Sequence, residues 1–366
     1  MDSYYSDAVY WIWLSEINGI GPVSAKALID KFITPQNIYK ATKSELVDIS
    51  GIGIATADTI FNSKSLTNAE LILNKCEKLN IRILTYGDSL YPTQVKDIKK
   101  SPIILYYRGN LIEESMGVAI VGSRRCTEYG KRLTVDAGKF LAQNNIPVIS
   151  GMAKGIDGYA HTACLKADGY TIAILGCGLD ICYPKEHIEL MQRIIERGAV
   201  ISEYPPGIKP DANHFPMRNR LISAWGKKLL VVEAGEKSGS LLTAAYAKEQ
   251  NREVFAAPNS IYIRESIGTN KLIVEGAKMY LNSSQLLLDN VRKTRVNRKI
   301  ENAAPSGDDL TALEKAILIK IEDSPMNLGE VLVSLKENKS DILETISIME
   351  LKGMINNVGG IFKKCR

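Results

Sequence analysis

Two clusters of side chains in this chain are of the types that hold a polyanion. The first is Gly122-Ser123-Arg124, which ends an apolar β-branched run, Val118 to Val121, and is followed by Thr127, a helix-capping residue type. An arginine on a small-residue turn between a strand and a helix N-terminus suits phosphate, because the first-turn N–H groups, the helix dipole and a planar guanidinium all favour an anion there. An ordinary βα turn with a surface arginine explains the same residues. The second cluster is His214-Phe215-Pro216-Met217-Arg218-Asn219-Arg220, with Lys209 shortly before it. An aromatic ring beside arginines can stack a base and hold the backbone of a single strand. The competing explanation makes Phe215 core and the arginines structural ion pairs.

Other chemistries lack their residues. No G-x-G-x-x-G follows the first strand, and the next, Ile146 to Ile149, ends in Ser150-Gly151 with no acid for a ribose. A P-loop is missing too, so no nucleotide cofactor is expected. His161, His187 and His214 do not cluster with cysteines at ligand spacing, which argues against a metal. No Ser-His-Asp or Cys-His set is visible. Asp157, Glu203 and Glu233 are the available general acids or bases, but for Asp157 and Glu233 the preferred reading is structural, fixing glycine loops or pairing with the arginines. No catalytic residue is assigned.

Elements must bring these clusters together. Residues 112 to 285 alternate strand and helix, which predicts an α/β, Rossmann-like, largely parallel sheet with helices on both faces. The expected strands are Val118–Val121, Val148–Ser150, Thr171–Leu175, Val200–Glu203, Lys228–Glu233 and Val254–Ala257. Ligands bind such sheets at the carboxyl ends of the strands. The loops there are small and glycine-rich, including 150–157, which carries Lys154, and 233–240, where Ser238-Gly239-Ser240 opens a helix expected over Leu241 to Asn251.

Length and composition predict two or three domains of an ordinary globular protein, with 45% hydrophobic and 24% charged residues. A net charge of +5 permits a polyanionic partner without demanding one. Six cysteines without a C-x-x-C pair, and an N-terminus with no signal-peptide pattern, predict reduced thiols and a cytoplasmic location. No apolar run is long enough to span a membrane.

Residues 1–80 are expected to be helical. Asn18-Gly19-Ile20-Gly21 and Gly51-Ile52-Gly53 each sit between helices and resemble helix-hairpin-helix motifs in a sterile-alpha-motif-like domain. Such hairpins offer backbone N–H groups to a nucleic-acid phosphate, or simply pack. Residues 81–111 bridge to the sheet, with β-rich runs that add to it or abut it. Residues 286–308 form a basic and polar linker. Residues 309–366 fit a winged helix whose third helix, 339–352, carries Asp341, Glu344 and Glu350. Those carboxylates oppose phosphate, so protein contact is expected of this domain.

Taken together, the motifs are similar to those of the DNA-processing protein family DprA. They run in order through Gly122-Ser123-Arg124, Tyr129-Gly130, Ser150-Gly151, Gly155-Ile156-Asp157 with His161, Phe215-Pro216, Arg218-Asn219-Arg220, Glu233-Ala234, Ser238-Gly239-Ser240 and Gly268-Thr269-Asn270. Ala224-Trp225-Gly226 and Ala257-Pro258-Asn259 depart from the family pattern and leave local packing open there. The resemblance covers essentially the whole chain. It implies a non-enzymatic protein that binds and protects single-stranded DNA in natural transformation, loads RecA onto it, and dimerises through the Rossmann-like domain. The implied pocket is Gly122, Ser123, Arg124, Lys209, Phe215, Arg218, Asn219 and Arg220, to which the strand-end loops add Lys154, Ser238, Gly239 and Ser240. Two other functions fit the residues less fully: a Rossmann-like hydrolase that cleaves the base from nucleoside monophosphates, and a scaffold that contacts protein alone.

Overall fold

The computed structural model describes residues 2–113, 115–288 and 311–335, together with parts of 337–364. The chain forms two compact units, Met1–Leu288 and Asp289–Arg366.

In the first unit the two G-I-G hairpins repeat one backbone geometry. Gly19 and Gly51 have φ of +80° and +87°, and Gly21 and Gly53 cap the following helices with near-identical angles. The helices are α1 (Asp2–Glu16), α2 (Pro22–Phe32), α3 (Pro35–Lys40), α4 (Lys43–Val47), α5 (Ile54–Asn62) and α6 (Thr67–Lys78). Ile17, Ile20, Ala25 and Leu28 are buried in the first copy, as are Ile49, Ile52, Ala57 and Ile60 in the second. Each position recurs after 32 residues, as counted along the sequence.

The expected parallel sheet is present and larger than the sequence predicted. Its nine strands are β1 (Arg82–Thr85), β2 (Ile104–Gly109), β3 (Gly117–Val121), β4 (Val148–Ser150), β5 (Thr171–Leu175), β6 (Ala199–Ser202), β7 (Gly226–Val231), β8 (Glu253–Ala256) and β9 (Lys278–Met279), in the order β1-β2-β6-β5-β4-β3-β7-β8-β9. Strands from β6 to β9 pair in parallel, whereas β2 is antiparallel to β6 and β1 to β2. The bridge residues therefore extend the sheet. The two-residue β9 has too little apolar sequence to be read as a strand.

Alternation along the strands divides the core. Ala173, Leu175 and Val200 face one layer, with the N-terminal helices, Met191 and Ile194. Ile172, Ile174 and Ile201 face the other, with Leu221, Ile222, Trp225 and Ala244. Trp225, at one departure from the family pattern, is fully buried and donates its indole N–H to Ser115 Oγ at 3.2 Å. The helices that matter for the site are α8 (Glu128–Gln143), α9 (Ile156–Lys166), α11 (His214–Trp225) and α12 (Gly239–Glu249); α7 (Thr93–Lys96), α10 (Ile188–Arg197) and α13 (Ile267–Val274) complete the unit. Leu286, Leu287 and Leu288, at the start of the expected linker, are buried in this unit; residues 289–308 lie outside the described residues.

The second unit has helices α14 (Ala312–Asp323) and α15 (Leu328–Ser334). Strands β10 (Met326–Asn327), β11 (Ile355–Val358) and β12 (Ile361–Lys364) form a sheet in the order β10-β12-β11. Ile317, Ile321, Val331, Ile342, Ile346, Met349 and Phe362 make its core. Asp341 is exposed; Glu344 and Glu350 of the expected third helix lie outside the described residues. Among the described residues no helix is long and apolar enough to cross a membrane, and no side-chain group could hold a metal ion.

Candidate functional site

The loop after β3 is shaped by close backbone packing. A Cβ at Gly122 would lie 2.7 Å from Ile156 Cγ1 and 3.0 Å from the Glu233 carbonyl, so only glycine fits. Gly155, with φ of +76°, packs against the Ser123 and Arg124 carbonyls, and the Ile156 N–H donates to Ser123 O at 3.2 Å. Thr127 caps α8 as expected, accepting from the Gly130 N–H at 3.2 Å.

A cavity of about 980 Å³ opens at this loop. Gly122, Ser123, Arg124, Phe215, Arg218, Asn219, Ser238, Gly239 and Ser240 all line it. The Arg124 guanidinium stands 5.7 Å from the centre of the Phe215 ring, within cation–π range, and has no ion pair among the described residues. Phe215 is half-buried. Its ring lies beside Gly176, where a Cβ would come within 3.1 Å, and 5.4 Å from the Tyr183 ring. Asn219 donates to Gly239 O at 3.2 Å, which joins α11 to the start of α12. Ser238 caps α12, accepting from the Ser240 N–H at 3.4 Å.

The four other basic positions of the expected pocket have different surroundings. Arg218 lines the cavity but is 5% exposed, and its Nη1 donates to Gly151 O at 2.6 Å and also to Ile174 O. Nη1 braces the ends of β4 and β5, Nε donates to Asn219 Oδ1 at 3.1 Å, and the guanidinium lies 5.9 Å from the centre of the Phe215 ring. Burial pulls the Arg218 pKa down, which the neighbouring Asp157 opposes. Asp157 accepts from the Gly151 and Ala153 N–H groups at 3.1 and 3.3 Å; burial raises its pKa, against the effect of Arg218 and those two bonds.

Arg220 must be removed from the cavity set. It is 3% exposed, holds Glu203 through two bonds of 2.9 and 2.7 Å, and donates to Lys100 O at 3.0 Å. Positions two apart on a helix point to nearly opposite sides, so Arg218 and Arg220 cannot share a wall. Lys154 is also outside the lining and pairs with Glu186 at 2.6 Å. Lys209 is exposed and lies just before the lining residues Pro210, Asp211 and Ala212 without joining them. Two lining cations were missed, Lys237 and Arg264. Lys237 lies in a strand-end loop that the sequence did mark; Arg264 follows β8 in a stretch without a polyanion signal.

The sequence model described as DNA recombination-mediator protein A matches residues 82–290, and that of the SAM-like helix-hairpin-helix tandem matches residues 14–62. The chain is 33% identical to Protein Smf of a Synechocystis species, over 97% of this chain and 98% of that one. Its structure resembles the X-ray structure of DNA processing protein A from Streptococcus pneumoniae, with a TM-score of 0.67 and 34% identity over 75% of this chain and 95% of that one. It also resembles DNA processing protein A from Helicobacter pylori, described for its single-stranded DNA binding mode, with a TM-score of 0.52 and 29% identity over 59% of this chain and 97% of that one.

Proposed function

The chain belongs to the DNA recombination-mediator protein A family, and on that premise we propose that it binds and protects single-stranded DNA in the cavity at the end of β3 and loads RecA onto the strand during transformation or recombination. The observation that carries this is the pairing of Arg124, exposed to the cavity and without an ion pair among the described residues, with the half-buried Phe215 ring at 5.7 Å. Arg124 neutralises a phosphate and Phe215 stacks a base, while the backbone at Gly122-Ser123 and the N-terminus of α12 favour the phosphodiester charge. The protein acts as a binder rather than a catalyst. Asp157 is occupied by two backbone N–H groups, and Glu233 by Thr127, which leaves neither free for acid–base work.

The experiment is binding of labelled poly-thymidine against the matching duplex, across a salt series, for wild type and Arg124→Ala. Wild type should prefer the single strand. The variant should bind more weakly, with a salt slope lower by about 0.7, the value for one phosphate on a single strand. A wild type without single-strand preference, or a variant with unchanged affinity and slope, would overturn the assignment. RecA loading is then tested on the same strands.

Dimerisation through the same unit draws support from large apolar side chains left exposed in its last part. Tyr262 and Val274 are 92% and 88% exposed, near Ile261 and Leu281 in sequence. Val274→Glu should shift the sedimentation of a dimer toward monomer.

A further inference from the structure

We propose that Lys237 and Arg264 form a second phosphate-holding edge of the same cavity, so that a bound single strand is gripped at two separate places. This rests on the single-strand function proposed above and adds residues that the sequence did not mark.

Four basic residues line the cavity: Arg124, Arg218, Lys237 and Arg264. Arg218 is buried, with Nη1 bonded to two backbone carbonyls and Nε to Asn219 Oδ1. Lys237 and Arg264 are exposed and, among the described residues, have no ion pair or side-chain hydrogen bond. Elsewhere on this unit Lys131, Lys154, Arg220, Lys228 and Lys278 are each paired with a carboxylate. Of the acids in the lining, Asp157 is buried among N–H donors, while Asp211, which accepts from the Asn213 N–H, and Glu236 are exposed counter-charges.

Arg124 follows β3, Lys237 follows β7 and Arg264 lies beyond β8, and in the sheet β7 lies between β3 and β8. Neighbouring strands are spaced by about 4.8 Å, so the ends of β3 and β8 are about 10 Å apart. The three cations stand on successive strand-end loops of one wall, along which successive phosphates of one strand can run. The N-terminus of α12, through Gly239 and Ser240, lines the same cavity.

The Ala234 N–H donates to Glu265 O, and the Gly268 N–H to Ala234 O, both at 2.7 Å. Buried Ser266 donates to Ile263 O at 2.6 Å, and Tyr129 donates to Pro258 O at 2.9 Å. The backbone beneath Arg264 is therefore fixed to the β7 loop and to α8, and an arginine on a fixed base meets a phosphate with less ordering cost.

The test uses the full chain, oligothymidines from about three to about twenty nucleotides, and a salt series with Lys237→Gln, Arg264→Gln and the double variant. On long strands each single variant should bind severalfold more weakly, with a slope lower by about 0.7, and the double by about twice that. On the shortest strand that wild type binds, the variants should match wild type, because only the Arg124 end is filled. Arg264→Lys should restore the slope, and melting curves should superimpose. If wild type and Arg124→Ala behave as expected but the glutamine variants change no slope at any length, the second edge is overturned and the single-strand function stands. Equal losses at every length would also overturn it, because the residues would then share one phosphate with Arg124. Wild type failing to bind single strands would overturn both.

Discussion

The Glu233 carboxylate, just beyond the end of β7, accepts hydrogen bonds from both the backbone N–H and the hydroxyl of Thr127, the residue that caps α8. Glu233 is fully buried, and a Cβ on Gly130 would strike its carboxyl carbon at 2.4 Å. One side chain thus ties the β7 end to the loop that carries Arg124, and two strand-end loops hold their spacing without a ligand.

Glu233→Gln follows from that tie. An amide nitrogen cannot accept, so one charge-assisted bond is lost from a buried site, at about 1.5–3 kcal/mol. The melting temperature should fall and single-strand affinity with it, as the loop at Arg124 loosens. A melting curve identical to wild type would show that the tie contributes nothing.

Arg220→Ala should harm the fold rather than the DNA contact. It leaves Glu203, 21% exposed, without its bidentate partner, a change that costs about 3–5 kcal/mol in a buried pair, and the partial exposure favours the low end. The denaturation midpoint should drop, while the folded fraction keeps the wild-type salt slope. A slope lowered as in Arg124→Ala would return Arg220 to the strand.

Phe215→Ala should weaken single-strand binding by about 1–3 kcal/mol if the ring stacks a base. The ring is half-exposed, so the melting temperature should change little. Loss of folding with unchanged affinity in the folded fraction would make Phe215 a core residue instead.

His161 gives the pH dependence. The Thr171 hydroxyl donates its proton to Val148 O, so the bond of 2.7 Å between His161 Nδ1 and Thr171 Oγ1 requires a proton on Nδ1. Nε2 is then a buried lone pair, without a partner in the structure. Burial lowers the His161 pKa to about 3, aided by the positive charge of Arg218 and by His187. The folded-state value lies below the unfolded one, so the unfolded chain takes the proton first. Stability is complete above the ordinary histidine pKa of about 6.5 and falls as pH drops through the window below it. Wild-type melting temperature should decline from about pH 6.5 toward pH 4, and His161→Gln should flatten that decline. Parallel curves for the two proteins would exclude His161 as the cause.

Much of this protein was legible in its sequence because the signals are local. Short β-branched runs ended by glycine marked the central strands, since a buried parallel strand needs apolar residues on both faces. Thr127 and Ser238 announced their helices, because a cap is a contact between residues two or three apart. The repeated G-I-G hairpins were visible for the same reason. Tertiary structure alone decided which cations meet the cavity. Helix α11 begins with His214-Phe215-Pro216, which hid its helical period, and that period turns Arg218 inward to the ends of β4 and β5 and Arg220 away to Glu203. Arg264 enters the lining only because β8 lies beside β7 and the loop after it is bonded to Ala234. Whether a charge is free or already paired depends on neighbours distant in the chain: Glu203 for Arg220, Glu186 for Lys154, and, among the described residues, none for Arg124. Sequence supplies the charges and the strands; the order of strands in the sheet decides which charges share a wall.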